Sequence, residues 1–396
     1  MVRRICVVTA TRAEYGLLRP LIAALQADGA VSLQLVVTGA HLAPEFGQTW
    51  KQIEADGFAI DAKVEMLLTG DTATATAKSM GLALSGFADV FARLQPELLV
   101  MLGDRYEMLA VAAAATLFRI PIAHLHGGET TEGAYDEAFR HAITKCAHLH
   151  FTATEDYRRR VIQLGEDPAR VFNVGAIGID SIKTLPLLSR AQLLPQLELT
   201  EDERYWLVTY HPVTLADGDA VAEVDALVEA LLTQVGTRIV VTGANADTGG
   251  RAVNARWQYW QAQHPDRLVL FASLGSLRYL SAVKHALAVV GNSSSGIIEA
   301  PSLGVPTLDI GARQQGRVRA GSVRHVAPAA DAIAAGLAHV ASESARQAAA
   351  SQVNPYGDGG TTDRIMAVLR ETDFASLLVK RFHDLPTAAM AHLRSE

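Results

Sequence analysis

The sequence predicts an α/β protein built from two doubly wound parallel sheets. Short, nearly continuous apolar runs alternate with longer segments of helical periodicity, and 396 residues exceed what one ordinary core accommodates. The predicted strands of the first half are Ile5–Thr9, Leu33–Thr38, Leu98–Leu102, Pro121–Leu125, Leu149–Thr152 and Val171–Val174. Those of the second half are Trp206–Thr209, Arg238–Val241, Leu268–Phe271, Leu287–Val290 and Pro306–Ile310.

The predicted domain boundary lies between Ile182 and Glu203, because Leu, Pro, Gln and Glu replace the alternation of strands and helices there. We therefore expect a first α/β domain over residues 1–185 and a second over residues 186–375. The remaining residues, 376–396, are predicted to form a C-terminal segment that packs back on the first domain.

Composition and charge exclude several classes of function. A net charge of −7 gives no sign of the clustered basic face that a nucleic-acid-binding protein needs. The N-terminal apolar run from Ile5 to Ala10 is too short for a signal peptide or a membrane span. Two cysteines make no disulfide framework, which is typical of a reducing cytosol. We expect a cytoplasmic enzyme with no nucleic-acid or membrane partner.

Two residues after strands of the first half are candidates for a ligand site, because ligands of open α/β sheets bind beyond the carboxyl ends of strands. Arg12 opens a helix, where its charge opposes the helix dipole, and this misfit favours phosphate binding over a plain surface role. Asp104 follows the third strand, where it is either an acid that faces the cleft or the N-cap of the next helix.

The next strand leads into His126, a Gly-Gly pair and Glu129, and Asp136 follows shortly afterwards. Such a mixture of imidazole and carboxylate groups suits proton abstraction and return. The spacing matches neither HExxH nor CxxC, so we expect no metal. His141, on the following predicted helix, is interpreted as a structural hydrogen-bonding residue.

The strongest local signal is a Gly/Ser-rich turn, Gly291–Glu299, between a strand and a helix. Free N–H groups at a helix N-terminus bind anions, and Ser293 and Ser294 add hydroxyl donors beyond what N-capping needs. Glu299, about one turn into the helix, is placed to accept hydrogen bonds from ribose hydroxyls. The chain carries neither GxGxxG nor GxxxxGK[ST], so dinucleotide and P-loop sites are not favoured.

Three further residues of the second half are candidates. His211 directly follows a strand, where it is placed to bind phosphate or to act as an acid. Arg313 follows the last predicted strand and is placed to supply a cation near the same diphosphate. Asn245 lies in a loop of small polar residues that suits either close ligand contact or a plain turn.

Taken in order, these motifs resemble those of the hydrolysing UDP-N-acetylglucosamine 2-epimerases, the bacterial enzymes that begin sialic acid synthesis. The resemblance covers nearly the whole chain, and its main motifs are Thr9–Gly16, Leu102–Arg105, His126–Glu129, Tyr135–Glu137, Gly291–Glu299 and Gly311–Gln314. It implies a glycosyltransferase-B-type fold with two Rossmann-like domains around a cleft. It also implies a homodimer or homotetramer and a reaction that needs no cofactor.

The resemblance also implies roles for individual residues. It places Asp104 and Asp136 among the catalytic acids in the first domain, beside the sugar. It places Arg12, Arg105, His211, Asn245, Ser293, Ser294, Glu299 and Arg313 around the nucleotide of a UDP-sugar. The implied reaction eliminates UDP to give a 2-acetamidoglycal, and hydration then yields N-acetylmannosamine.

Two departures from the family pattern affect this assignment. Several relatives have Glu where this chain has His126, so the third catalytic group is either His126 or Glu129. Some relatives have a phosphate-contacting Ser at the position of Gly16.

Other functions remain open from the sequence. One is the same reaction on a UDP- or GDP-2,4-diacetamido-2,4,6-trideoxy sugar for legionaminic acid synthesis, and another is a glycosyltransferase of the same fold. A catalytically dead nucleotide-sugar sensor is a third, although intact Asp104 and Asp136 argue against it.

Overall fold

The chain forms two parallel sheets in a computed structural model that describes residues 2–70, 72–213, 219–244 and 249–385. Within these residues the first sheet has the strand order β3-β2-β1-β4-β5-β6-β7, and the second has the order β10-β9-β8-β11-β12-β13. The first-sheet strands are β1 (Arg3–Thr9), β2 (Val31–Thr38), β3 (Ala62–Val64), β4 (Leu98–Leu102), β5 (Ile122–Leu125), β6 (Leu149–Thr152) and β7 (Val171–Asn173). The second-sheet strands are β8 (Arg204–Thr209), β9 (Thr237–Thr242), β10 (Leu268–Phe271), β11 (Val289–Gly291), β12 (Thr307–Ile310) and β13 (Val323–Val326).

Helices connect and flank the strands, which gives the doubly wound α/β fold that the sequence predicts. Those of the first half are α1 (Arg12–Ala27), α2 (Trp50–Ala55), α3 (Ala73–Leu94), α4 (Tyr106–Leu117), α5 (Asp136–Cys146), α6 (Glu155–Gln163) and α7 (Gly178–Thr184). The others are α8 (Arg190–Leu193), α9 (Ala220–Leu232), α10 (Gly250–Gln263), α11 (Gly275–His285), α12 (Ser294–Ile298), α13 (Ala330–Val340), α14 (Glu343–Ser351) and α15 (Thr361–Glu371). In the described residues, every helix is too short or too polar to cross a bilayer.

Both faces of the first sheet are covered, as the continuous apolar strands require. Ile5 and Val7 contribute to one hydrophobic core, whereas Cys6 and Val8 contribute to the core on the opposite face. This alternation follows the two-residue period of a strand. With both faces buried, the first sheet is a rigid support for the polar loops at the carboxyl ends of its strands.

Helix α15 packs on the first domain, although the sequence-based division places residues 186–375 in the second. Ile365, Met366 and Leu369 belong to the core of the first sheet. The Asp180 carboxylate accepts the backbone N–H of Thr361 at 3.0 Å and therefore holds the start of this helix. The apolar spacing of α15 predicts a helix but does not specify which core buries it.

The chain after α15 continues along the first domain up to the last described residue. The Lys380 amine donates to the backbone oxygen of Ala147 at 2.8 Å and lies 2.9 Å from a Glu166 carboxylate oxygen. Glu166 also pairs with His150 of β6 at 3.0 Å. This cluster lies among buried residues and anchors the segment.

Candidate active site

The loops at the carboxyl ends of the two sheets contact each other across a cleft. The Arg317 guanidinium, which follows β12, lies 3.1 Å from the Glu129 carboxylate, which follows β5. Arg317 also donates to the backbone oxygen of Thr130 at 2.9 Å. The candidate acids of the first domain therefore face the polar loops of the second domain.

Asp104 is paired with a buried arginine. Its carboxylate forms an ion pair with Arg140 of α5, whose side chain is almost fully buried. Arg140 also donates to the Thr131 hydroxyl at 2.8 Å. The N-cap of α4 is Arg105 and not Asp104, so the alternative N-cap role of Asp104 is wrong. Asp104 instead lies at the strand end with its carboxylate held in the cleft.

Asp136 is the first residue of α5 and is half-buried. Residues four apart lie on one face of a helix, so Asp136 and Arg140 share a face. Because Arg140 holds Asp104, the two predicted acids are brought to the same region. His141 is 3.0 Å from Glu137 on the same helix, which accounts for it as a structural hydrogen-bonding residue.

His126 adopts a left-handed backbone conformation with φ 64°, and among the described non-glycine residues with positive φ it is the buried one. Such strain costs free energy and is concentrated at functional sites. Its Nδ1 lies 2.6 Å from Glu129 Oε1, and its Nε2 accepts a long hydrogen bond of 3.4 Å from the Ile177 N–H. Gly128 has φ 76°, and a Cβ there would run into the Tyr157 backbone oxygen.

The Asn292 side chain connects the polar loops of the second domain. It accepts the His211 N–H at 2.7 Å and donates to the His211 carbonyl at 2.8 Å, which fixes His211 beside the serine turn. Arg313 donates to the Asn292 carbonyl at 3.2 Å. Gly291 must be glycine, because at φ 125° a Cβ would run into the Thr209 carbonyl. His211, the turn and Arg313 thus converge on one place.

The serine turn leads into α12 with Ser293 as its N-cap and Ser294 as its first residue. Glu299 follows the last residue of α12 and is buried. Burial raises the pKa of Glu299 to about 7. The Glu299 carboxylate also packs against Gly178 of the first domain. Glu299 therefore lies where the two domains meet.

Arg12 lies at the start of α1 with one buried guanidinium nitrogen, Nη2, that has no hydrogen-bond partner in the described part of the chain. Burial lowers the pKa of Arg12, and the charge of Arg278 lowers it further. Two guanidinium groups from different domains thus lie close enough to repel each other. A diphosphate between them would relieve this repulsion and satisfy the buried donor.

Two further predicted nucleotide-binding residues are Arg105 and Asn245. Arg105 is half-buried, and its Nε lies 3.3 Å from the Glu107 carboxylate. Asn245 lies outside the described residues. The structure also adds three residues that have no role in the sequence-based assignment, namely Arg140, Arg278 and Arg317. Arg140 has a sequence signal, since it follows Asp136 by four residues, whereas the other two have none.

Comparison with known proteins decides the family. The family model described as UDP-N-acetylglucosamine 2-epimerase matches residues 23–370. The chain belongs to this family. It is 46% identical over 317 residues to the GDP/UDP-N,N'-diacetylbacillosamine 2-epimerase (hydrolyzing) of Campylobacter jejuni, covering 80% of this chain and 82% of the relative. It is 36% identical to a polysialic acid biosynthesis protein of Escherichia coli, covering 98% and 100% of the two chains.

Solved structures of the same epimerase family support the fold. The chain matches the UDP-GlcNAc 2-epimerase of Neisseria meningitidis bound to UDP-GlcNAc with a TM-score of 0.79, covering 93% of this chain and all of the other. At 19% sequence identity this similarity shows the fold, which is the glycosyltransferase-B-type arrangement expected from the motifs. Within the epimerase family, the chain is an enzyme of the hydrolysing kind.

Proposed function

We propose that this epimerase cleaves a nucleotide-linked 2-acetamido sugar and releases the free sugar inverted at C2 together with the nucleoside diphosphate. The observation that carries the proposal is that the candidate acids of the first domain face the serine turn of the second. The acids beside His126 and the serine turn with Glu299 lie in the same cleft, because Ile177 contacts His126 Nε2 at 3.4 Å and the next residue, Gly178, packs against the Glu299 carboxylate.

The first step is an elimination. A base among Asp104, Asp136 and His126 takes the C2 proton while the bond between C1 and the diphosphate oxygen breaks. The electron pair of the C2–H bond forms a C1–C2 double bond, and the nucleoside diphosphate leaves with the C1 oxygen. Arg12, Arg313 and the N–H groups of the serine turn would stabilise the departing charge.

The second step is hydration of the resulting 2-acetamidoglycal. Water adds its hydroxyl to C1, and a proton is delivered to C2 from the face opposite the one that lost it. The acid and base roles thus need groups on both sides of the sugar ring. Asp104 and Asp136, brought together by Arg140, and His126, held separately by Glu129, would supply them.

The substrate that we favour is UDP-N,N'-diacetylbacillosamine, a 2,4-diacetamido sugar. The 46% identical relative named for this sugar supports that choice. The second candidate is UDP-N-acetylglucosamine, with N-acetylmannosamine as product. The polysialic acid biosynthesis relative, which matches 98% of this chain, supports it.

The test is proton NMR of the reaction in heavy water with UDP-N-acetylglucosamine and with the UDP- and GDP-linked diacetamido sugars. We expect one substrate to give free nucleoside diphosphate and a sugar with deuterium at C2 and inverted configuration. A glycosyltransferase would leave all three intact without an acceptor. Release of a sugar without deuterium at C2 would reject the elimination.

A further inference from the structure

Three buried side chains form a connected row from the first domain to the second. His126 Nδ1 lies 2.6 Å from Glu129 Oε1, and Glu129 Oε2 lies 3.1 Å from the Arg317 guanidinium. The side chains of His126, Glu129 and Arg317 are 10%, 3% and 7% exposed, respectively. A carboxylate and a guanidinium so little exposed persist only when they are paired, so Glu129 and Arg317 depend on each other.

Both Glu129 oxygens are engaged within this row, one by His126 and the other by Arg317. Burial raises the pKa of Glu129, but the charge of Arg317 and the hydrogen bond from His126 outweigh it and the pKa lies below the usual value. An ionised carboxylate only accepts hydrogen bonds, so His126 must carry a proton on Nδ1. The nitrogen left for proton exchange with a substrate is Nε2, whose one hydrogen bond to the described residues is the long one from Ile177.

We propose that Glu129 and Arg317 are positioning residues that hold His126 with Nε2 as its proton-transfer atom. Because Arg317 belongs to the second domain, the row is complete only when the domains are in contact. Closure of the cleft therefore orients the proton-transfer group as it encloses the sugar. This inference rests on the proposed function, and it assigns the family's third acid position to His126 rather than to Glu129.

The backbone of His126 makes this orientation dependent on its partners. A positive φ at a non-glycine residue is disfavoured, so the surrounding contacts must hold it. Arg317 contributes a second contact here, because it donates to the Thr130 carbonyl next to Glu129. Loss of either Glu129 or Arg317 would release the ring without removing it.

The first test compares E129Q and R317Q with the parent enzyme. We expect kcat to fall by about 100-fold in E129Q and by about tenfold in R317Q, as for groups that orient another ligand or base. UDP affinity, measured by calorimetry, should change far less than kcat in both variants, because neither Glu129 nor Arg317 belongs to the serine turn. R317K, which keeps the charge, regains part of the lost kcat.

The matched control is E166Q, which breaks a buried Glu–His pair in the same domain away from the cleft. Glu166 lies 3.0 Å from His150 and is also paired with Lys145 and Lys380. We expect E166Q to lower the melting temperature and leave kcat unchanged. If E129Q and R317Q behaved like E166Q, the row would be a structural link between the domains and the positioning role would be wrong.

A spectroscopic readout separates this inference from the proposed function. In protein labelled with ¹⁵N-histidine, the Nδ1 proton of His126 should give a far-downfield resonance, assigned by its absence in H126N. We expect it to vanish in E129Q, move in R317Q and persist in E166Q. Its persistence in E129Q would overturn the inference. Failure of the parent enzyme to release any sugar would instead reject the proposed function and leave this resonance pattern intact.

Discussion

At the scale of single residues, the candidate site consists of charges held by opposite charges. The Asp104 carboxylate is held by Arg140, and Glu129 is held by Arg317 and His126. Arg12 is the exception, since its strongest charged neighbour is another arginine. The acids held in this way are positioned for proton transfer. Arg12 and Arg278, two like charges, are positioned to bind an anion.

Replacing Asp104 tests the acid role directly. We predict that D104N lowers kcat by about 1,000-fold, because the amide cannot exchange the proton that the carboxylate does. UDP affinity should survive, since the serine turn is untouched. Steady-state kinetics and UDP calorimetry measure the two effects. D28N, which breaks the ion pair with Arg370 outside the site, serves as the control, and full activity of D104N would remove Asp104 from the mechanism.

Gly16 offers a second test, because a Cβ at this position would lie 2.5 Å from the Ser276 hydroxyl of α11. The second domain thus supplies the hydroxyl that lies against this position. We predict that G16S weakens UDP binding by displacing Ser276 and that G16S/S276G regains the affinity. UDP titrations of both single variants and the double variant measure the coupling. Additive losses would show that the two positions are independent.

At the scale of elements, apolar runs of β-branched residues predicted every strand of the two sheet interiors. The sequence missed β3 and β13 because charged or polar residues interrupt their apolar ones: β3 reads Ala-Lys-Val and β13 reads Val-Arg-His-Val. Asp104 and the serine turn could likewise be predicted as site residues, because each directly follows a predicted strand. Arg317 escaped because it follows β12 in a loop, where no periodicity indicates the direction of a side chain.

The N-terminus of α1 carries a capping box in which Glu14 accepts the backbone N–H of Ala10 and Thr11. Burial raises the pKa of Glu14 from 4.5 to about 7, although Arg105 opposes the rise. Between these values the folded chain binds more protons than the unfolded chain. The stability contributed by neutral Glu14 is therefore complete below pH 4.5 and is lost as the pH rises through about 7.

Glu14→Gln removes this pH dependence while keeping a capping acceptor. We predict equal stabilities at pH 4.5 and a gain for E14Q at pH 8 of about 3 kcal/mol or less. Urea unfolding of both proteins at the two pH values measures the difference. E54Q, which removes a surface carboxylate, should show none, and a pH-independent difference for E14Q would contradict the burial argument.

At the scale of the whole molecule, an exposed contact spans the mouth of the cleft. Arg251 of α10 lies 2.8 Å from Glu45 of the first domain and also donates to the Thr69 carbonyl. An ion pair this exposed adds little to stability and is screened by salt. The ion pair nevertheless joins the two domains, so its loss should affect how far the cleft between them closes.

We predict that R251Q enlarges the radius of gyration of the UDP-free enzyme and leaves the melting temperature unchanged. Small-angle X-ray scattering, with and without UDP, measures the opening. The control is R256Q on the same helix, whose partner Asp225 belongs to the second domain, so its loss should not open the cleft. Scattering curves of R251Q and the parent that coincide at low salt would exclude the contact as a determinant of closure.

The return of α15 to the first core has a mechanical consequence. Polypeptide passes between the domains twice, once after α7 and once before α15, and Asp180 ties the two passages together through Thr361 and Thr362. Two bodies joined at two neighbouring points keep one easy motion, a rotation about the line through those points. Cutting the backbone at either crossing would allow the domains to twist relative to each other. A nicked enzyme would therefore remain assembled, but its two domains would no longer close in the correct alignment.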